Sequence, residues 1–125
     1  MPVEWTDDEL DRIGEAEELE IASLRRDGEL STPRTIWVVR VGDGIYVRSV
    51  NGPGSDWYRS TRVRQEGRVE AAGADKDVTI LDADPELNGH VDDAYRSKYG
   101  HYAARIIQAI TSPEASSTTM RLLPR

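Results

Sequence analysis

The sequence predicts an α+β protein, in which a small barrel or a strongly curled, mainly antiparallel sheet carries flanking helices. Three observations predict it. Residues 35–50 hold a hairpin pattern, rich in β-branched and aromatic residues, around the turn Gly42-Asp43-Gly44. A second hairpin pattern covers residues 68–81. From Asp84 onward the apolar residues recur at helical spacing, so helices occupy the later connections. Strands joined mostly by hairpins argue for antiparallel pairing, and five or six of them suffice to curl a sheet toward closure.

Each element has a local cause. Thr6 with Glu9 three residues on is a capping box, and Asp7 and Asp8 favour the positive end of a helix that Gly14 should end. Leu19–Leu24 alternates as a strand does, and Arg25-Arg26-Asp27-Gly28 reads as a turn. Thr35–Val41 and Ile45–Val50 form the first hairpin. Asn51-Gly52-Pro53-Gly54-Ser55 breaks regular structure, and Asp56 opens a short helix to about Val63. The second hairpin pairs Arg68–Gly73 with Asp77–Leu81. Asp84-Pro85 starts a helix that runs to Gly100, and Tyr102, Ile106, Ile107 and Ile110 make a further helical stripe. A turn at Ser112-Pro113-Glu114 and a strand over Thr119–Leu123 complete the order α-β-β-β-α-β-β-α-α-β.

Length and charge set outer limits. At 125 residues the chain reads as one unit, an acidic helical flap over residues 1–18 followed by a barrel over residues 19–125. The net charge of -7 is unevenly placed, because residues 1–20 carry nine acids and one base while the rest is nearly neutral. An acidic chain with a pI near 4.8 is a poor partner for nucleic acid. The absence of cysteine excludes thiolate catalysis, zinc–cysteine sites and disulfide frameworks, and no apolar run is long enough for a membrane span. The expectation is a cytoplasmic protein with no nucleic-acid or membrane partner.

The residues exclude several chemistries. His90 and His101 lack a third ligand at metal-binding spacing, and no G-x-S-x-G elbow, Walker loop or G-x-G-x-x-G turn is present. What remains is a small-molecule site made of arginines, aromatic rings and backbone amides. Four features point to it: the Arg25-Arg26-x-Gly28 turn with Arg34, the segment Arg48-Ser49 with Asn51-Gly52, the pair Trp57-Tyr58, and the tyrosines Tyr95, Tyr99 and Tyr102. Each also has a purely structural reading, as core tyrosines with a rim hydroxyl or as a helix anchor.

From Leu19 to the end the chain resembles the flavin- and deazaflavin-binding split β-barrels, the superfamily of pyridoxamine-phosphate oxidase, and within it the deazaflavin-dependent nitroreductases. Their G-R-K-[ST]-G turn and following arginine are similar to Arg25-Arg26-Asp27-Gly28 and Arg34-Thr35-Ile36-Trp37. Their A-S-K-G-G strand end is similar to Arg48-Ser49-Val50-Asn51-Gly52, and their W-Y and Y-x-x-Y motifs to Trp57-Tyr58 and Tyr99-Gly100-His101-Tyr102. Ile36–Arg40 through Tyr46–Ser49 also resembles a small actinobacterial domain family of unknown function in that superfamily.

The resemblance implies a split β-barrel and a homodimeric oxidoreductase that uses a deazaflavin or, as second choice, flavin mononucleotide (FMN). It implies cofactor contacts from Arg25, Arg26, Arg34, Trp37, Arg48, Asn51, Trp57 and Tyr58. It further implies that Ser49, Tyr99 and Tyr102 orient substrate or supply a proton. Two positions depart from the pattern: Val50 stands where the nitroreductases carry a phosphate-binding lysine, and Asp27 adds a negative charge to the turn. Both weaken anion binding and favour an alternative, a cofactor-free barrel that binds or cyclises a hydrophobic small molecule. The homodimer has an independent argument, since the 35–50 hairpin is apolar on both faces and a strand in a single sheet needs only one buried face.

Overall fold

The computed structural model describes residues 4–125. A seven-stranded antiparallel sheet in the order β2-β1-β5-β6-β7-β4-β3 curls into a split barrel. Its strands are β1 (Leu19–Ser23), β2 (Arg34–Ile36), β3 (Val39–Val41), β4 (Gly44–Val47), β5 (Glu66–Ala71), β6 (Ala74–Asp82) and β7 (Met120–Pro124). The helices are α1 (Asp7–Glu15), α2 (Asp56–Arg64), α3 (Asn88–Tyr99), α4 (Ala104–Ile110) and the short α5 (Pro113–Ser116).

The stretch 35–41, expected as one strand, is two. β2 pairs with β1 (Leu19 opposite Ile36) and β3 pairs with β4 (Val39 opposite Tyr46), so consecutive strands lie on opposite edges of the sheet. Only Trp37-Val38 joins them. A sheet whose two edges are tied by two residues must curl until those edges meet, and this link is the seam of the barrel. The alternation of faces continues across it. Ile36 and Val38 turn into the barrel core with Ile45, Val47, Val69, Ile80 and Leu122, whereas Trp37, Val39 and Val41 join Tyr46 beneath Val91, Tyr95 and Tyr99 of α3. Both faces of the hairpin are therefore covered within one chain, and the two-faced pattern by itself requires no partner.

Local chemistry explains the remaining boundaries. The Thr6–Glu9 capping box is formed in both directions, at 3.1 and 3.0 Å. Within the acidic segment Leu10 and Ile13 of α1 are buried and the Trp5 indole donates to the Leu122 carbonyl at 2.9 Å, while residues 1–3 of the expected flap lie outside the described residues. Gly14 does not end α1; it lies within the helix, where an added Cβ would sit 3.2 Å from the Arg40 side chain. The second hairpin is longer than expected, with Ala72 and Gly73 at φ 50° and 84° forming the two-residue turn between Ala71 and Ala74. Ile45–Val50 is shorter: the strand stops at Val47, and Arg48 and Ser49 leave the sheet for a turn closed by Gly52 N–H donating to Ser49 O. Pro85–Leu87 forms a 3-10 turn before α3 rather than its first turn.

The seam carries a backbone cost that two side chains of α3 meet. Val38 is fully buried and lies between strands, so its amide and carbonyl have no ladder partners. The Tyr99 hydroxyl accepts from Val38 N–H at 3.2 Å and lies 3.1 Å from Val38 O and 2.8 Å from Glu17 O. Lys98 Nζ donates to Val38 O at 2.6 Å. Removing the hydroxyl strands a buried donor, so Tyr99→Phe should lower unfolding free energy by about 1–3 kcal/mol in a urea titration. Tyr102→Phe, at a half-exposed site, should change it by less than about 0.5 kcal/mol.

Candidate functional site

A cleft of about 380 Å³ opens where β2, the seam, the turn after β4, α2 and α4 meet. Its walls are Arg34, Thr35, Ile36, Trp37, Arg48, Val50, Asn51, Trp57, Ile106 and Ile110. The curl of the sheet places β2 there, the Gly52–Gly54 turn turns the chain so that α2 presents Trp57, and α4 covers the side nearest Ile110. Trp37 is stacked on Tyr99, with ring centroids 4.0 Å apart and planes within 3°, and Tyr102 tilts against it at 5.0 Å. The indole is thus fixed by its neighbours. Arg34 is exposed and makes no ion pair or hydrogen bond among the described residues, and Asn51 is likewise exposed and unbonded through its side chain.

Of the residues expected at a site, Arg34, Trp37, Arg48, Asn51 and Trp57 line this cleft, whereas Arg25, Arg26, Ser49, Tyr58, Tyr99 and Tyr102 do not. Arg25 and Arg26 stand exposed in the β1–β2 loop, so Arg26 and Arg34 do not converge on one groove. Tyr58 is buried in the barrel core, with Arg62 donating to its hydroxyl at 3.0 Å. The Ser49 hydroxyl donates to Gly52 O at 2.8 Å and its amide to Thr118 Oγ1 at 2.8 Å, which makes it a turn lock. Tyr99 holds the seam, and burial pushes its hydroxyl up to about 12. Tyr102 donates to the Glu17 carboxylate, and that bond holds its hydroxyl above the ordinary tyrosine range.

Arg48 reverses the expectation most fully. The residue is 2% exposed, and four of its five N–H donors are engaged. Nε donates to Thr119 Oγ1 at 2.9 Å, Nη1 to Asp92 and to Ile110 O at 3.2 Å, and Nη2 to Asn88 O at 3.2 Å, while the Tyr95 ring lies 5.5 Å away. This guanidinium ties β4 to α3, α4 and the start of β7. It closes the base of the cleft and is not a spare cation for a ligand.

Sequence reasoning missed Ile106, Ile110, Val50, Ile36 and Thr35 as cleft walls. The Ile106–Ile110 stripe was visible, but helical spacing alone does not separate a core face from a cleft face. It also missed Asp92, the counter-charge of Arg48, although a buried guanidinium always demands one.

Because Arg48 is buried and paired, Arg48→Ala should lower stability by roughly 3–5 kcal/mol, leaving Asp92 without its partner. Arg48→Lys should recover only part of this, since an ammonium has three donors on a single nitrogen and cannot span the same four acceptors. Thermal and urea unfolding of both variants check the ordering.

Among solved structures the fold is similar to the heme storage protein HutZ from Vibrio cholerae, at 17% identity and TM-score 0.66, covering 92% of this chain and 86% of that one. A FAD-binding protein from Mesorhizobium loti aligns at 14% identity and TM-score 0.60, covering 97% and 91% of the two chains. An F420 reductase aligns at 12% identity and TM-score 0.57, covering 91% and 90%. At these identities the likeness is one of fold. No curated protein sequence matches the chain. Among the described residues no helix is long and apolar enough to cross a membrane. Residues 9–122 match the family described as an uncharacterized protein conserved in bacteria, DUF2255, and the chain belongs to that family.

Proposed function

We propose that the cleft binds a flat conjugated cofactor of the flavin or deazaflavin class, and that the protein uses it to reduce a small organic substrate. The observation that carries this reading is the make-up of the cleft. Two indoles and four aliphatic side chains form the walls, and three polar side chains uncommitted among the described residues, Arg34, Thr35 and Asn51, offer anchors. Its volume of about 380 Å³ falls within the usual span of small-molecule sites. Proteins of the same fold that are named for FAD, F420 and heme support the class of ligand.

A conjugated ring fits these walls; a phosphate has less to meet. Arg34 is the exposed, unpaired arginine of the cleft among the described residues, because Arg48 is buried and paired with Asp92 and Arg25 and Arg26 lie outside it. Arg34, Asn51, Trp37 and Trp57 would therefore hold the cofactor, with the fixed indole of Trp37 setting the plane of the ring. When bound, such a cofactor supplies hydride chemistry. The protein's own part is to orient the ring and to keep water from it. Ser49 and Tyr99 are committed to backbone groups, and Tyr102, beside Trp37 but outside the cleft lining, donates its proton to the Glu17 carboxylate and would have to leave it to serve a ligand at the rim.

A homodimer belongs to this reading. Val50 and Ile106 are 45% and 37% exposed at the mouth of the cleft, an apolar rim that a second copy would cover. A second reading, the cofactor-free barrel for an apolar small molecule, is favoured by one observation, the failure of Arg26 and Arg48 to supply cations to the cleft.

Fluorescence titrations with FMN, F420 and riboflavin at fixed ionic strength separate these readings. Arg34→Ala should weaken FMN binding roughly ten- to a hundred-fold, because a charge-assisted hydrogen bond contributes about 1.5–3 kcal/mol. Arg62→Ala should change it by less than about threefold, since Arg62 is held by Asp82 at 2.6 and 3.0 Å, and Arg59→Ala likewise, since Arg59 is paired with Asp56. Absence of binding by all three compounds to the wild type assigns the cleft to the second reading. Sedimentation at micromolar concentration should show a species of twice the 14.0 kDa chain mass.

A further inference from the structure

A second groove, of about 280 Å³, lies on another side of the molecule between α1, β3 and α3. Leu10, Val39 and Ala94 give it apolar walls, and Arg40, Ser97 and Lys98 give it polar ones. Lys98 is the unusual member. Its amine is half-buried, lies 5.1 Å from the Tyr99 ring centroid and donates to Val38 O at 2.6 Å. One N–H bond fixes the nitrogen in place and leaves the lone pair of an unprotonated amine uncommitted. The carbonyl does not depend on this lysine alone, because the Tyr99 hydroxyl reaches the same oxygen at 3.1 Å. The chain has one other lysine, Lys76, and that one is paired with Glu9 at 3.1 Å.

We propose that this groove is a reversible covalent site for small uncharged aldehydes, with Lys98 as the nucleophile. The amine lone pair bonds to the carbonyl carbon, the carbonyl oxygen takes up the two amine protons and leaves as water, and a C=N bond remains. No oxidant or reductant is needed. The groove's charges select against an anionic aldehyde. Asp11 and Glu15 of α1 line it, and Arg40 of β3 is already paired with Asp11 at 2.8 Å, so with an unprotonated Lys98 the groove is net negative. Nη2 of Arg40 has no hydrogen-bond partner among the described residues and can donate to a polar oxygen of the guest.

The amine is suited to this at mild pH. Burial pushes Lys98 down to about 8, against an opposing pull from the Glu17 carboxylate. The charged groups around it are Asp11 and Glu15 of α1 and Arg40 of β3, which line the same groove, and Glu17, whose carboxylate acts on the amine, with the Tyr99 ring 5.1 Å away. Deprotonation creates the nucleophile, so the labelling rate should rise with pH through about 8 and level off above it.

Reductive trapping tests this on the intact chain. Propanal with cyanoborohydride at pH 7.5, followed by peptide mass mapping, should label Lys98 at least tenfold faster than Lys76. The Lys98 rate should saturate with propanal concentration while that of Lys76 rises linearly. Glyoxylate should show a lower preference for Lys98 over Lys76 than propanal does. Ala94→Trp, which fills the groove, should abolish the preference without touching Lys76; should that variant fail to fold, the saturation curve of the wild type decides alone. Equal rates at the two lysines, a linear Lys98 rate, or a higher Lys98 preference with glyoxylate would overturn the proposal.

Discussion

The backbone of a single residue, Val38, governs the architecture. It lies where the chain leaves one edge of the sheet for the other, in a place with no neighbouring strand and no water. A buried amide and carbonyl without partners would make that crossing costly. The Tyr99 hydroxyl and the Lys98 amine supply the partners, both from the last turn of α3. With the crossing satisfied, the sheet can curl, and with the sheet curled, Trp37 is delivered to the cleft on one side while Val39 forms a wall of the groove on the other. The two candidate sites are neighbours through this one link.

Arg48 organises the molecule in a complementary way. It gathers a carboxylate, a hydroxyl and two backbone carbonyls from elements far apart in sequence, each within hydrogen-bond reach of one planar group. That satisfaction explains how a fully buried guanidinium is tolerated. It also explains why the cleft above it is more apolar than the number of arginines in the chain suggests.

The fold was largely legible and the site only partly so, for a physical reason. Capping boxes, turn glycines and alternation are local, and they placed α1, the β5–β6 hairpin and the helical second half. The break between β2 and β3 leaves no local mark, because Trp37-Val38 keeps the β-branched, alternating character of its flanks; curvature of the whole sheet sets it. Arg48 was misplaced for the same reason, since its counter-charge stands 44 residues away. Ser49 and Tyr99 matched a motif by type but serve the backbone, a distinction that depends on what lies within hydrogen-bond distance. Arg34 and Trp57, singled out by residue type, and Trp37, named from the family resemblance, all line the cleft.

The shortness of the two edge strands has its own consequence. β2 and β3 are three residues each, and the covalent link that closes the barrel follows one and precedes the other. Neither edge offers more than a few amides and carbonyls to an incoming strand. Copies of this protein therefore have little to gain from extending one sheet into the next, and amyloid-like stacking has no long template here. Association between copies must run through side chains, so its specificity rests on shape and chemistry at the surface.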